Sequence, residues 1–305
     1  MSKWPALSYE RWAATCDTLH AHTQVLGKLA VELAPPQAQL LHAALRLTAR
    51  GFETPLLPAP DGSGAIVVAL DLHRHEAVVE HSDGRELSFP LTPDRPVAEV
   101  TRDLLEGVGS LAGPVRINPK PQEVPWETPL DEDTEHRTYD PDGVSVYLAA
   151  ATQAALVLAE FRAPYRGRAS RVNAWWGTFD LAVVLYSGKP ADPPADDFLT
   201  RNGGDAEVYE IGWWPGDRNR DAAAFYAFAY PMPDGYSEAE LSPGAAHWDG
   251  RLGEFVLDWE DIRSEPDPHA LGLEFARSAF EHTSAVCAWD PFLEGSAVGD
   301  PPPIR

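Results

Sequence analysis

Cysteine, basic residues and long apolar runs are what this sequence has least of. Only Cys16 and Cys287 occur in 305 residues, too few and too far apart for a disulfide framework. They read as reduced core thiols of a cytoplasmic protein, with one long-range disulfide as the alternative. Lys plus Arg number 24 against 47 Asp plus Glu, a net charge of −23. So negative a surface repels phosphate backbones and anionic lipid, which argues against nucleic-acid and membrane partners. No run reaches the roughly 18 apolar residues of a membrane span. The opening MSKWPALSYERW has neither the apolar stretch nor the cleavage site of a secretory signal. Cys-x-x-Cys, His-Glu-x-x-His, the P-loop, the dinucleotide fingerprint and Gly-x-Ser-x-Gly are all missing. No strongly marked enzyme class is indicated, and no cofactor or reaction follows.

Apolar side chains are plentiful, at 44% of the chain with 10% aromatic, enough for a sizeable core. The 29 prolines and 23 glycines cluster between segments and predict many loops. The chain also repeats itself. HSDGRELSFPLT (81–92) aligns with HWDGRLGEFVLD (247–258), and six of the twelve columns agree: His81/His247, Asp83/Asp249, Gly84/Gly250, Arg85/Arg251, Phe89/Phe255 and Leu91/Leu257. A helical segment carrying a Thr-Gln pair (Thr23-Gln24, Thr152-Gln153) precedes each copy, and an amphipathic helix (97–108, 269–282) follows each.

These features predict an α+β fold of two pseudo-symmetric halves, each a helix, an antiparallel sheet of about five strands and a helix. In the first half KLAVEL is expected as a short strand and LLHAALRLTARGFET as a long one. RAPYRGR and RVNAWWGTFDLAVVLYSG are their expected counterparts in the second. Asp83-Gly84 predicts a type I′ hairpin turn, and Asp140-Pro141 an N-cap with proline at the first helical position. The expected boundaries are a first repeat over 1–117 and an acidic, proline-rich linker over 118–140. The second repeat follows over 141–291, with a loop insertion at 189–222, and a flexible tail over 292–305.

The stretch NAWWGTFDLAVVLYSGK (173–189) has two apolar faces by alternation, so it is covered on both sides unless it bends at Gly177. Asp180 inside it needs a partner, because desolvating a lone carboxylate costs several kcal/mol. Aligning LTARGFETP with LAVVLYSGKP places Arg46 opposite Asp180. The expectation is an Asp180–Arg46 ion pair across the two halves, with Arg50, Arg162 and Arg166 as rival partners and a catalytic carboxylate as the other reading.

Asp133, His136 and Asp140 recur at three- and four-residue steps in DEDTEHRTYDP, where carboxylate and imidazole can act as acid and base or hold a metal. His20-x-His22 on a helix diverges and does not chelate. His73-x-His75 falls at a hairpin turn, and His42 is a packed strand residue. In GWWPGDRNRDAAAFYAFAYPMP, Tyr226, Phe228 and Tyr230 share one strand face that seals a core or lines a pocket, and Trp213 and Trp214 stand at its rim.

WPALSYERW, TLHAHTQVLGK, DEDTEHRTYDP, GTFDLAVVLYSGKP, WWPG and FYAFAYPMPDG, taken in order, resemble a bacterial family catalogued as domain of unknown function 5996. The resemblance runs from about residue 3 to about residue 290 and implies no activity. One departure stands out: Ser170, Arg171, Val172 and Asn173 occupy the place of an expected Ser-Pro-Val-His. Asn173 therefore weakens a metal-ligand or proton-transfer role at that strand end.

Two functions remain open. One is a small-molecule site, enzymatic or not, in a cleft between the halves, where pockets tend to form. It would be lined by His20, Gln24, Tyr139, Trp176, Asn173, Trp213 and Trp214, with His136 and Asp133 as the acid/base pair. The other is a non-catalytic structural or regulatory module whose acidic surface engages a basic protein partner.

Overall fold

A computed structural model describes residues 3–294. The chain is α+β, with two six-stranded antiparallel sheets, each half running from a long helix through six strands to a closing helix, and with α4 and α5 added in the second. The first half runs α1 (Tyr9–Leu33), β1 (Arg46–Thr48), β2 (Gly51–Glu53), β3 (Leu57–Pro58), β4 (Ala65–Asp71), β5 (Glu76–His81), β6 (Glu86–Pro90) and α2 (Val97–Ala112). The second runs α3 (Pro141–Arg162), β7 (Asn173–Trp175), β8 (Asp180–Pro190), α4 (Phe198–Gly203), β9 (Ala206–Trp214), β10 (Ala224–Tyr230), β11 (His247–Asp249), β12 (Glu254–Asp258), α5 (Trp259–Ile262) and α6 (Pro268–Val286). Strand order is β1-β2-β4-β5-β6 with β3 beside β4, and β11-β12-β10-β9-β8-β7. The sheets meet edge to edge: Leu45 and Ala174, flanking β1 and within β7, exchange backbone hydrogen bonds of 3.0 and 2.9 Å.

One hydrophobic core runs through both halves on the helix side of the sheets, including Phe52, Val68, Leu70 and Val79 from the first and Leu181, Ile211, Trp213, Phe225 and Phe255 from the second. Helix α1 is buried almost all round, taking even His20, His22, Gln24 and Lys28 out of solvent. Helix α3 begins as its sequence predicts: the Asp140 carboxylate accepts from the Asp142 and Gly143 amides, and Pro141 opens the helix. Contrary to the sequence expectation, α3 is long and apolar enough to cross a membrane by length and composition. It packs here against α6, β8 and β9, as a core helix does.

Several expected strands are something else. KLAVEL continues α1, because nothing breaks the helix before Pro35. LLHAALRLTARGFET is a 3-10 turn followed by the β1–β2 hairpin, with His42 in the turn accepting the Gln37 amide, and RAPYRGR lies outside any strand. The long apolar strand does bend near Gly177, and the bend is a full reversal, since β7 and β8 pair as a hairpin with Trp175 opposite Asp180. The stretch 189–222 is no simple loop insertion, because it carries β9, which lies between β8 and β10. At Asp83-Gly84 only Gly84 has positive φ (93°), and its amide bonds to the His81 carbonyl. That is a turn closed by a left-handed glycine rather than a type I′ turn. Residues 118–140 hold neither helix nor strand. Cys16 and Cys287 are both free thiols. Of the expected tail, residues 295–305 lie outside the described residues.

Candidate functional site

Sequence candidates fall into two layers. The first lies at the seam, beneath residues 118–140. The His136 Nδ1 is 2.7 Å from Asp133 Oδ2, while Asp133 Oδ1 accepts the Glu135 and His136 amides. Burial pushes the Asp133 carboxyl up, but the bonds from the His136 ring and backbone outweigh it and leave Asp133 below its ordinary value. The carbonyls of Asp133 and His136 accept the Ala98 and Val97 amides, so this dyad also ties the segment to the otherwise unsatisfied start of α2. Trp126 lies over His136 at 4.3 Å between ring centres and meets His20 edge-on at 5.2 Å.

His20 stacks on Phe179 and donates from Nε2 to the Trp176 and Gly177 carbonyls at 2.9 and 3.1 Å. Burial holds His20 at about 4 and His22 at about 3, so both are neutral at pH 7. The Gln24 amide group exchanges two hydrogen bonds with the Gln122 backbone, acting as a clasp. Trp176 lies against Gly27, where a Cβ would sit 2.1 Å from the indole, and its Nε1 donates to the Ala43 carbonyl. Tyr139 is elsewhere, hydrogen-bonded to His75, and Trp213 is in the core with no exposed surface.

The expected cleft is therefore filled. The space among Thr23, Leu45, Phe52, Tyr147, Trp176 and Phe179 does not admit a water molecule. Aromatic rings close it: Phe179 stacks on both His20 and Tyr147.

The second layer is the outer face of the second sheet. Antiparallel partners share a face, so the register puts Asn173, Asp180, Glu210, Gly212, Trp214, Tyr226 and Phe228 together, opposite the core-facing Leu181, Ile211 and Phe225. Tyr226, Phe228 and Tyr230 thus face outward and do not seal the core. The Tyr226 ring lies over Gly212, where a Cβ would come within 2.3 Å of it. From there its hydroxyl bonds to Asp180 Oδ2 and stands 3.3 Å from Glu210 Oε1. Thr178 donates to the other Asp180 oxygen.

Asp180 does not pair with Arg46. No ion pair to Asp180 forms among the described residues, its partners being the two hydroxyls, and Arg46 is exposed on β1. The alignment that matched them treated a hairpin as a strand. Matched by their closing pairs, Thr48–Gly51 and Trp175–Asp180, the residue equivalent to Asp180 is Gly51.

Among the described residues no ion pair reaches Glu210 or Glu254 either, and their carboxyls rise. Burial, then Asp180, lifts Glu210 to about 8; burial, Asp180 and Asp249 lift Glu254 to about 7. Asp180 is itself raised by burial, only partly offset by Thr178 and Tyr226. Glu123 comes over Gly177 from the 118–140 segment, and shielding on that side together with Asp180 and Asp197 raises it as well. Geometry favours the same outcome. A phenol has one proton to donate, so with two carboxyls at the Tyr226 oxygen, a proton on one of them turns the second contact into a hydrogen bond. Asn173 adds a donor on this face: it is 8% exposed, and its Nδ2 has no partner among the described residues. Among the described residues no three His, Cys, Asp or Glu side chains gather as a metal site.

The sequence analysis names Asn173 and Trp214 as ligand-binding candidates and Asp180 as an ion-pair candidate, does not name Glu210 or Glu254, and assigns Tyr226 only to an aromatic face. Alternation in AEVYEIGWW does place Glu210 opposite the apolar set of β9. A family model described as "Family of unknown function (DUF5996)" matches residues 4–293. No curated protein and no solved structure matches the chain.

Proposed function

The chain belongs to this family of unknown function, and from that premise we propose that it binds a small molecule carrying a cationic group on the outer face of its second sheet, beside the seam. One observation carries the proposal: Asp180 and Glu210 converge on a single hydroxyl with Glu254 nearby, and among the described residues no ion pair reaches any of the three, the neighbouring Arg220 being taken by Asp249 and Asp258. Buried carboxylates without a counter-ion either hold protons or await a cation. A cation bound there removes the repulsion and supplies the missing charge. The unpartnered Asn173 amide is a donor, so the ligand brings an acceptor beside its cation. Half-buried Trp214 and Phe228 offer ring surface alongside. The function is binding; the acid/base pair expected from the sequence, His136 with Asp133, lies in the other layer and anchors a loop.

The non-catalytic alternative, a module engaging a basic protein, draws on the net charge of −23 spread over the whole chain. Thermal unfolding of the full chain against organic cations, metabolite anions and neutral sugars separates the two. A cation at 100 times its Kd stabilises the native state by about 2.7 kcal/mol. The expected result is a raised Tm with organic cations alone, lost in Asp180→Asn. Shifts that survive Asp180→Asn, or none with any organic cation, would remove the proposal.

A further inference from the structure

We infer that the first half carries a serine-based site that hydrolyses carboxylic esters, with Ser63 as nucleophile, His81 as general base and Asp83 as the residue that positions His81. The site shares no residue with the cation site of the second sheet and stands or falls separately. Ser63 lies on the exposed Asp61-Gly62-Ser63-Gly64 turn ahead of β4. Its Oγ is 3.1 Å from His81 Nε2, and His81 Nδ1 is 2.9 Å from Asp83 Oδ1. Hydroxyl, imidazole and carboxylate, each within hydrogen-bond reach of the next, are what activation of a serine needs.

Asp83 sets the tautomer. The Arg85 amide, then the His81 and Arg85 side chains, outweigh burial and hold the Asp83 carboxyl at about 2. An ionised carboxylate only accepts, so the 2.9 Å contact puts a proton on Nδ1 and leaves Nε2 to accept from Ser63. The Asp83 amide and the Arg85 guanidinium stand farther from Nδ1, at 3.2 and 3.5 Å. The turn itself does not demand this arrangement. At the matched position of the second half the Arg251 amide bonds to Asp249 as the Arg85 amide does to Asp83. There the exposed His247 ring meets the Ala245 carbonyl instead, and Asp249 pairs with Arg220.

Glycines on either side of Ser63 shape the site. A Cβ at Gly64 would stand 2.5 Å from Ser82 Oγ and 3.2 Å from His81 Cε1, so glycine lets the turn close onto the imidazole. One at Gly62 would meet nothing within 4 Å, which leaves that flank open to an ester. The Gly64 amide has no acceptor among the described residues, and the amide after a nucleophile is where an oxyanion donor stands. Asp61 accepts the Ser63 amide at 2.8 Å and also faces its hydroxyl, which draws the Asp61 carboxyl down. In the first step Oγ bonds to the ester carbonyl carbon and its proton passes to Nε2. The carbon–alkoxy bond breaks, and the alcohol leaves with that proton. Water then attacks the acyl-serine, returns a proton through Nε2 to Oγ and releases the carboxylic acid.

Hydrolysis of p-nitrophenyl acetate and labelling by diisopropyl fluorophosphate, both on the full chain, test the site. The expected rate is at least about a hundredfold above that of Ser63→Ala, with a phosphoryl adduct located on Ser63 by mass spectrometry. Asp83→Asn should lower kcat and leave KM unchanged, the mark of a residue that positions the base without touching the ester; a raised KM with kcat intact removes Asp83 from that role. A smaller rate ratio, or an adduct that is absent or on another residue, overturns the inference. Should Ser63→Ala not fold, the labelling of the unaltered chain decides.

Discussion

The two outer faces of this molecule hold the same chemistry in different states of balance. On the first sheet, Glu53 and Glu80 sit with Arg50, and the Arg50 hydrogen bonds draw the Glu80 carboxyl below its ordinary value against the effect of burial. On the second, Arg220 is held by Asp249 and Asp258, Asp180 and Glu210 have the Tyr226 hydroxyl instead of a guanidinium, and Asp180, Glu210 and Glu254 all rise. Burial is present on both faces; the sign of the shift is set by whether a cation stands among the carboxylates. The Arg50 cation balances the carboxylates of the first face, whereas the raised carboxyls of the second favour the protonated form.

The largest break in this comparison comes from removing the ring that separates the acids. Gly212→Ala places a methyl group inside the position of the Tyr226 ring, and overpacking of this kind costs about 3 kcal/mol. Chemical denaturation should show that loss, while Gly84→Ala, at a solvent-exposed turn, should lose about 1 kcal/mol through its positive φ. Next in size is the response to pH. Glu210 and Glu254 have folded values above their unfolded ones, so their contribution is complete below about 4.5 and disappears as pH rises through about 7 and 8. His20 and His22 work in the opposite sense: their folded values are depressed, so stability present above about 6.5 is lost as pH falls through about 4 and 3. Thermal unfolding should peak between these windows. Glu210→Gln should flatten the alkaline side and leave the acid side unchanged; an unchanged alkaline slope would detach Glu210 from the account.

Smaller effects sharpen the contrast. Arg50→Met leaves Glu80 without its cation, but these side chains keep roughly a third of their surface in water. The expected loss is about 1 kcal/mol, shrinking with added salt. Arg46→Ala, at the exposed end of β1, should change stability by less than about 0.5 kcal/mol and leave the titration of the Asp180 cluster untouched.

Much of the architecture is legible in the sequence because it rests on local patterns. Asp140-Pro141, the amphipathic spacing of α2 and α6 and the alternation of β4, β5 and β10 each specify an element without long-range information. Misreadings occur where a tertiary contact decides. KLAVEL, expected as a short strand, continues α1, and Trp176 from the second half lies on that helix at Gly27. The LTARGFET segment alternates like a strand, but Arg50-Gly51, with φ of 140° at Gly51, turns it back on itself. The matched Asp-Gly segments also differ in setting. The strand before the turn is β5, in the sheet interior, in one half and the outermost β11 in the other. Glu210 and Glu254 look like ordinary solvent-facing residues of half-buried strands. Only the packing of Tyr226 over Gly212 draws Asp180 and Glu210 together.

Carbon-detected NMR titration of the side-chain carboxyls, with Asp180, Glu210 and Glu254 assigned by single substitution, measures the imbalance of the second face directly. The account predicts that Glu210 exchanges its proton near pH 8 and Glu254 near pH 7, while Glu80 titrates below the ordinary glutamate range. If all three carboxyls of the second face ionise below about pH 5, as freely solvated ones do, the face needs no proton and awaits no cation.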